Sequence, residues 1–114
     1  MVLKVITPLV LISLLFSCGG GQAEIKEREK KEAEMGPMTV NEAKSVYITN
    51  CTSCHGMDGK KGLSGAADLS KSTKTDAEIL ETIRNGNDKG MMPYKDMLTD
   101  REQKGLVEFV KTLR

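Results

Sequence analysis

The sequence predicts an all-α domain of three to four helices, and two patterns carry this prediction. A threonine followed three residues later by a glutamate occurs three times, each time ahead of apolar residues at helical spacing. In such a capping box the threonine hydroxyl accepts from the glutamate N–H, and the carboxylate accepts from the threonine N–H. The stretch between the first two helices is rich in glycine and shows no strand-like alternation. The three boxes are Thr39–Glu42, Thr75–Glu78 and Thr99–Glu102.

Each box begins one predicted helix. The first helix extends to Asn50, and the second ends at Asn85-Gly86, a pair typical of helix C-termini. The apolar residues are Val40, Ala43, Val46 and Tyr47 in the first helix, Ile79, Leu80 and Ile83 in the second, and Leu106, Val107, Phe109, Val110 and Leu113 in the third. A long loop with four glycines separates the first two helices. Loops of this length are uncommon unless they are functional or surround a ligand.

The composition limits the classes of function. The 17 basic and 16 acidic residues nearly cancel and no arginine cluster exists, so nucleic acid is not expected as a partner. With 114 residues, 2 Phe, 2 Tyr and no Trp, the chain has few large apolar groups for its core. A bound apolar cofactor would add to that core.

The N-terminus has the features of an export signal. Lys4 precedes an apolar run over residues 5–16, which is too short to span a bilayer comfortably. The run leads into Leu15-Phe16-Ser17-Cys18, which resembles the lipobox of bacterial lipoproteins. We therefore expect a signal peptide over residues 1–17 and lipidation of Cys18, although Phe16 is bulkier than the residue usually found there. The alternative is an ordinary secreted protein in which Cys18 is free.

Residues 18–38 are predicted to form a lipidated cysteine followed by a flexible, charged tether. Acidic and basic residues alternate over residues 22–34 with little to bury, and Gly36-Pro37 closes the segment. Opposite charges at i,i+4 spacing favour a transient helix, but an isolated helix of this length is marginal in water. The segment is interpreted as a solvated spacer, with a partner-binding helix as the alternative.

The pentapeptide Cys51-Thr52-Ser53-Cys54-His55 is the most specific motif in the chain. Two thiols at this spacing after a helix can each add to a vinyl group on one porphyrin edge, while His55 ligates the iron. The motif therefore predicts one covalently bound haem c. A thioredoxin-like dithiol usually accompanies a βαβ pattern, which is absent, and a zinc site needs about four ligands. A structural disulfide would leave His55 without a role.

The second axial ligand of the iron is expected to be methionine, because His55 is the only histidine. Met92 precedes Pro93, which disfavours helix at Met92, and Gly90 adds to the irregularity. Such a segment can cross a haem face, so Met92 is favoured as the ligand. Met91 is the runner-up, and Met97 is expected in the core.

From residue 39 to 114 the chain resembles a class I c-type cytochrome of the short bacterial monohaem kind. The matching stretches are Tyr47 four residues before the first cysteine, residues 51–59, residues 83–94 and the final helix, residues 106–113. The resemblance implies a small cytochrome c-like bundle wrapped around one haem, with Met92 as distal ligand and Tyr47 packed near Phe109. One departure is Ala43, near the place where the family often has a glycine at the helix crossing.

The expected function is electron transfer. The resemblance and the signal together imply a lipid-anchored, periplasmic carrier of single electrons between respiratory complexes, in the bacterial cell envelope and with redox proteins as partners. Filled axial positions exclude a small-molecule substrate, so the chain is not expected to be an enzyme. The rival hypothesis is a haem peroxidase or gas sensor, but no second histidine is present to serve an open distal site.

Overall fold

The computed structural model describes residues 20–114. The predicted signal peptide and Cys18 lie outside these residues. The helices are α1 (Gly20–Glu32), α2 (Val40–Asn50), α3 (Thr52–His55), α4 (Asp76–Asn85) and α5 (Asp100–Lys111), with 3-10 turns at Leu63–Gly65 and Leu69–Lys71. No strand occurs in the described part of the chain, so the prediction of an all-α fold is confirmed.

All three predicted capping boxes are present. The carboxylate of Glu42 accepts from the Thr39 N–H at 2.7 Å, and the Glu42 N–H donates to the Thr39 hydroxyl at 3.3 Å. The boxes of α4 and α5 have the same reciprocal bonds. Because each box satisfies helix N–H groups that would otherwise be unpaired, α2, α4 and α5 begin where the sequence predicts.

The core lies where α2 and α4 pack against α5. Ala43 and Tyr47 of α2 are fully buried, and Leu106 of α5 is 1% exposed. The rings of Tyr47 and Phe109 lie 4.8 Å apart between centroids and are tilted by 48°. This confirms the aromatic contact that the resemblance implies. The remaining buried apolar residues are Ile79, Ile83, Leu98, Val107 and Val110.

A glycine does allow a close approach in this bundle, but it lies on α5. A Cβ on Gly105 would be only 2.7 Å from the Met38 sulfur and 2.9 Å from the Met38 Cβ. Met38 directly precedes the capping box of α2 and belongs to the predicted tether. Because Gly105 has no side chain, the chain can pass close to α5 as it enters α2. Ala43, near the place where the family often has a glycine, is fully buried.

The predicted tether contains the 13-residue helix α1, and two of its side chains contact the start of α5. Arg28 forms an ion pair with Glu102, and the Thr99 hydroxyl donates to Glu32 at 2.5 Å. Both contacts reach the capping box of α5. The sequence favours only transient helix here, since i,i+4 charge pairs contribute about 0.2–0.5 kcal/mol each. The contacts with α5 are non-local, so the charge pattern does not reveal them.

Within residues 20–114, no helix combines the length and the apolar character needed to cross a bilayer.

Candidate haem site

The Cys-x-x-Cys-His motif forms the last turn of a nearly continuous helix. Cys51 caps the end of α2 and starts α3, and its N–H donates to the Tyr47 carbonyl at 2.8 Å. The His55 N–H then donates to the Cys51 carbonyl at 2.9 Å. Residues three and four apart share one face of a helix, so Cys51, Cys54 and His55 lie on the same side. Both thiols are free, and Cys54 is the more exposed of the two.

The ring of His55 is held by the glycine-rich loop. Its Nδ1 lies 3.1 Å from the carbonyl oxygen of Ala67. A carbonyl only accepts, so Nδ1 carries the hydrogen and Nε2 keeps its lone pair for a metal. This arrangement fixes the tautomer and makes the ligating nitrogen more basic. Sequence reasoning missed Ala67, because a backbone carbonyl leaves no mark in the sequence.

Gly56 closes the motif and turns the chain away from it. Its φ of +76° lies in the left-handed region, and a Cβ there would be 2.8 Å from the Lys61 Cβ. The hydroxyl of Tyr47 donates to the Gly56 carbonyl at 2.7 Å. The buried Tyr47 therefore links the core directly to the end of the motif that carries His55.

The segment with Met92, residues 86–98, leaves α4 through a tight turn; we name it the methionine strap. A Cβ on Gly86 would lie 2.2 Å from the Met91 carbonyl oxygen, so only glycine fits there. The Asn87 side chain accepts from the Met91 N–H at 3.2 Å, and the Asn87 N–H donates to the Met91 carbonyl at 3.0 Å. This clamp leaves Met92 half exposed, whereas Met91 is partly buried against the core.

The strap is joined to the motif by Tyr94. Its hydroxyl donates to the carbonyl of Asn50, the residue before Cys51, at 3.0 Å. Burial raises the pKa of Tyr94, and the charges of the Cys51 and Cys54 thiolates act in the same direction. The phenol therefore stays protonated as a donor. The structure thus brings the strap with Met92 to the beginning of the motif.

The Cys51 thiol is held in the protonated form at neutral pH. Burial raises the pKa of Cys51 to about 11, and the neighbouring charge of Cys54 contributes to the rise. A protonated thiol is a weak metal ligand and a weak nucleophile. Within residues 20–114, no three His, Cys, Asp or Glu side chains are grouped closely enough to hold a metal ion. Side chains alone therefore do not supply the donor set of a zinc site there.

The described residues fit a haem better than a bare metal ion. Two free thiols and one histidine with an available Nε2 share a helical face, and a half-exposed methionine lies on a segment bonded to that helix. Several large apolar side chains near the motif and in the strap are 42–58% exposed. They are Ile48, Met57, Leu63, Met92 and Met97. An apolar macrocycle bound there would remove part of this apolar surface from water. The prediction that Met97 lies in the core is therefore wrong, because its side chain is 46% exposed.

Comparisons with known proteins agree with this geometry. A family model described as Cytochrome C oxidase, cbb3-type, subunit III matches residues 39–110. Among solved structures, a chain titled KustC0563 c-type cytochrome is 32% identical with a TM-score of 0.57; the alignment covers 63% of this chain and 96% of that one. No curated protein matches the chain. A c-type cytochrome domain implies covalently bound haem c and suggests electron transfer. The chain therefore belongs to the family of Cytochrome C oxidase, cbb3-type, subunit III, and its folded domain is that of a c-type cytochrome.

Proposed function

We propose that this chain is a monohaem c-type cytochrome that carries single electrons between respiratory complexes at the periplasmic face of a bacterial membrane. One haem is attached by thioethers to Cys51 and Cys54, with His55 and Met92 as axial ligands. The acylated Cys18 anchors the mature protein in the membrane. The partners are redox proteins, and no small molecule is turned over.

The hydrogen bond from His55 Nδ1 to the Ala67 carbonyl carries this proposal. It orients the ring and leaves Nε2 as the one histidine nitrogen that can bind iron, directly beside the two thiols. When bound, the haem supplies a one-electron couple. A neutral thioether from Met92 opposite histidine favours the ferrous state and raises the reduction potential. Two axial side chains also exclude substrates from the iron, which favours electron transfer over catalysis.

The family match supports a respiratory partner. The description of the matching family names a subunit of a cytochrome c oxidase. We therefore propose an oxidase as one class of partner, with electrons passing at the exposed haem edge.

The visible absorption spectrum of the purified protein tests the haem and its ligands. We expect the spectrum of haem c. The haem should also stay bound to the protein on a denaturing gel, because the thioethers are covalent. The oxidised protein should show the weak far-red band of a sulfur-to-ferric-iron transition. The reduced protein should be unchanged by carbon monoxide. Full binding of carbon monoxide would instead indicate an open distal site, and the function would then be that of a haem peroxidase or gas sensor.

The anchor is tested separately by fractionating cells that produce the chain or its Cys18→Ser variant. The wild type should remain with membranes after a high-salt wash and should incorporate labelled fatty acid. The variant should be released and unlabelled, with an unchanged haem spectrum. Release of both proteins would rule out the lipid anchor while leaving the haem assignment intact.

A further inference from the structure

Two tyrosine hydroxyls bind the backbone at opposite ends of the haem motif. Tyr47 donates to the carbonyl of Gly56, just after His55, at 2.7 Å. Tyr94 donates to the carbonyl of Asn50, just before Cys51, at 3.0 Å. These are the two tyrosines of the chain. Both bonds are part-buried, and each tyrosine fixes one end of the motif.

The two bonds join different parts of the chain. Tyr47 and Gly56 are 9 residues apart, so this bond is local to the helix and the motif. Tyr94 and Asn50 are 44 residues apart, and Tyr94 lies two residues after Met92. The Tyr94 bond therefore connects the segment of one proposed axial ligand to the segment of the other.

The other hydrogen bonds of the strap lead elsewhere. The N–H groups of Tyr94 and Lys95 donate to carbonyls of α4, at 3.0 and 3.2 Å. The carbonyl of Leu98 accepts from the buried Gln103 side chain of α5 at 2.7 Å. Among the hydrogen bonds of residues 20–114, the Tyr94 hydroxyl makes the one that joins the strap to residues 50–56.

We infer that Tyr94 is a positioning residue that keeps the distal methionine on the iron through its bond to Asn50. This inference rests on the proposed ligation by Met92. A ligand on a free segment loses conformational entropy each time it binds, and an anchored segment has already lost that freedom. Without the hydroxyl, the strap can move away from the motif more often. Met92 then leaves the iron for a larger fraction of the time, and external ligands compete better.

The Tyr94→Phe variant tests this inference, and Tyr47→Phe is its matched control. Each change keeps the ring and removes one hydroxyl that donates to a backbone carbonyl; the Gly56 carbonyl also accepts from the Gly59 N–H at 3.3 Å. Denaturant unfolding of both variants gives the stability that each hydroxyl contributes, and this calibrates the comparison. The specific readout is the affinity of the ferric holoprotein for imidazole, which replaces the distal methionine, together with the intensity of the far-red band.

We expect Tyr94→Phe to bind imidazole about fivefold more tightly than the wild type, the factor typical of one lost hydrogen bond. Its far-red band should weaken, and its reduced form should begin to bind carbon monoxide. Tyr47→Phe should bind imidazole within twofold of the wild type, on the order of the scatter among neutral changes. The double variant should match Tyr94→Phe.

Two results would overturn the inference while leaving the proposed function intact. One is a Tyr94→Phe protein whose imidazole affinity and far-red band equal those of the wild type. The other is an equal gain of imidazole affinity in both single variants, which would mean that general loosening of the motif is responsible. If the wild type itself lacks the far-red band and binds carbon monoxide, the methionine ligation and this inference fail together.

Discussion

At the scale of single residues, the site depends on side chains whose freedom is removed before a cofactor binds. His55 is oriented by a carbonyl that takes the hydrogen of Nδ1. Met92 follows a turn clamped by Asn87 and precedes a proline. Both proposed ligands are therefore directed by backbone geometry.

The first prediction distinguishes the two adjacent methionines. Met92→Leu keeps the size of the side chain but removes the sulfur, so the far-red band should disappear and the reduced protein should bind carbon monoxide. Met91→Leu should keep the band, because Met91 packs against the core. The control Met91→Leu conserves volume and should cost less than about 1.5 kcal/mol in the free energy of unfolding. Loss of the band only in Met91→Leu would show that the distal ligand is Met91 and not Met92.

The second prediction concerns alkaline pH. Burial raises the pKa of Tyr47 from 10 to about 12, and the charges of Cys51 and Asp58 add to the rise. Above pH 10 the unfolded chain releases this proton while the folded chain keeps it, so stability falls as the pH rises towards 12. Denaturant unfolding across this range should show a shallower decline in Tyr47→Phe. Parallel curves for the variant and the wild type would contradict the assignment.

At the scale of helices, α1 is joined to the rest of the fold mainly through α5. The residues of α1 are mostly polar. Its contacts with α5 include an ion pair and a hydrogen bond at the capping box of α5. The side chain of Glu102 is 12% exposed, so the Arg28 pair is partly shielded from solvent. Docking of α1 would restrict how the haem domain moves relative to an anchor at Cys18.

The third prediction is that Arg28→Ala loosens α1. Trypsin cleavage at Lys30 and Lys31 should become about five- to tenfold faster, because the undocked population rises when a charge-assisted hydrogen bond is lost. Lys26→Ala is the control: it also removes one positive charge and one trypsin site, and Lys26 is exposed without an ion pair in residues 20–114. Equal cleavage rates in both variants would show that Arg28 does not hold the helix.

At the scale of the whole molecule, exposed lysines flank the two segments proposed to hold the haem. Lys60, Lys61, Lys89 and Lys95 are all exposed and flank the motif or the strap. None of the four forms an ion pair within the described residues, where the paired lysines are Lys71, Lys104 and Lys111. Unpaired surface lysines near an electron-transfer edge favour encounters with acidic partners.

The fourth prediction is that reversing Lys89 and Lys95 to Glu slows reduction by the physiological donor about tenfold at low ionic strength, with the difference shrinking as salt is added. The control reverses Lys44 and Lys74, which lie on α2 and just before α4, and so makes the same change in net charge. Equal rates for both double variants would show that the total charge matters and the position does not.

Short-range features of this protein were predictable from its sequence. The capping boxes act over three residues and the haem motif spans five, so their chemistry is determined by neighbours in the chain. The bounds of α2 and α4, the all-α class and most of the buried faces follow from such local patterns. The exception is Val40, which was predicted on the apolar face of α2 but is 48% exposed. The resemblance to c-type cytochromes also rests on contiguous stretches, and the family match confirms it.

The domain boundary at residue 38 and the anchor at Cys18 stay predictions. Other features of the protein depend on contacts between residues that are distant in the chain. Sequence alone determined α2, α4 and α5 and predicted the chemistry of Cys51, Cys54 and His55. Only the tertiary structure decided what orients them: Ala67 lies 12 residues from His55, Asn50 lies 44 from Tyr94, and Glu102 lies 74 from Arg28. The first two contacts use backbone carbonyls, which every residue has, so no sequence pattern distinguishes the carbonyl that folding places beside the side chain.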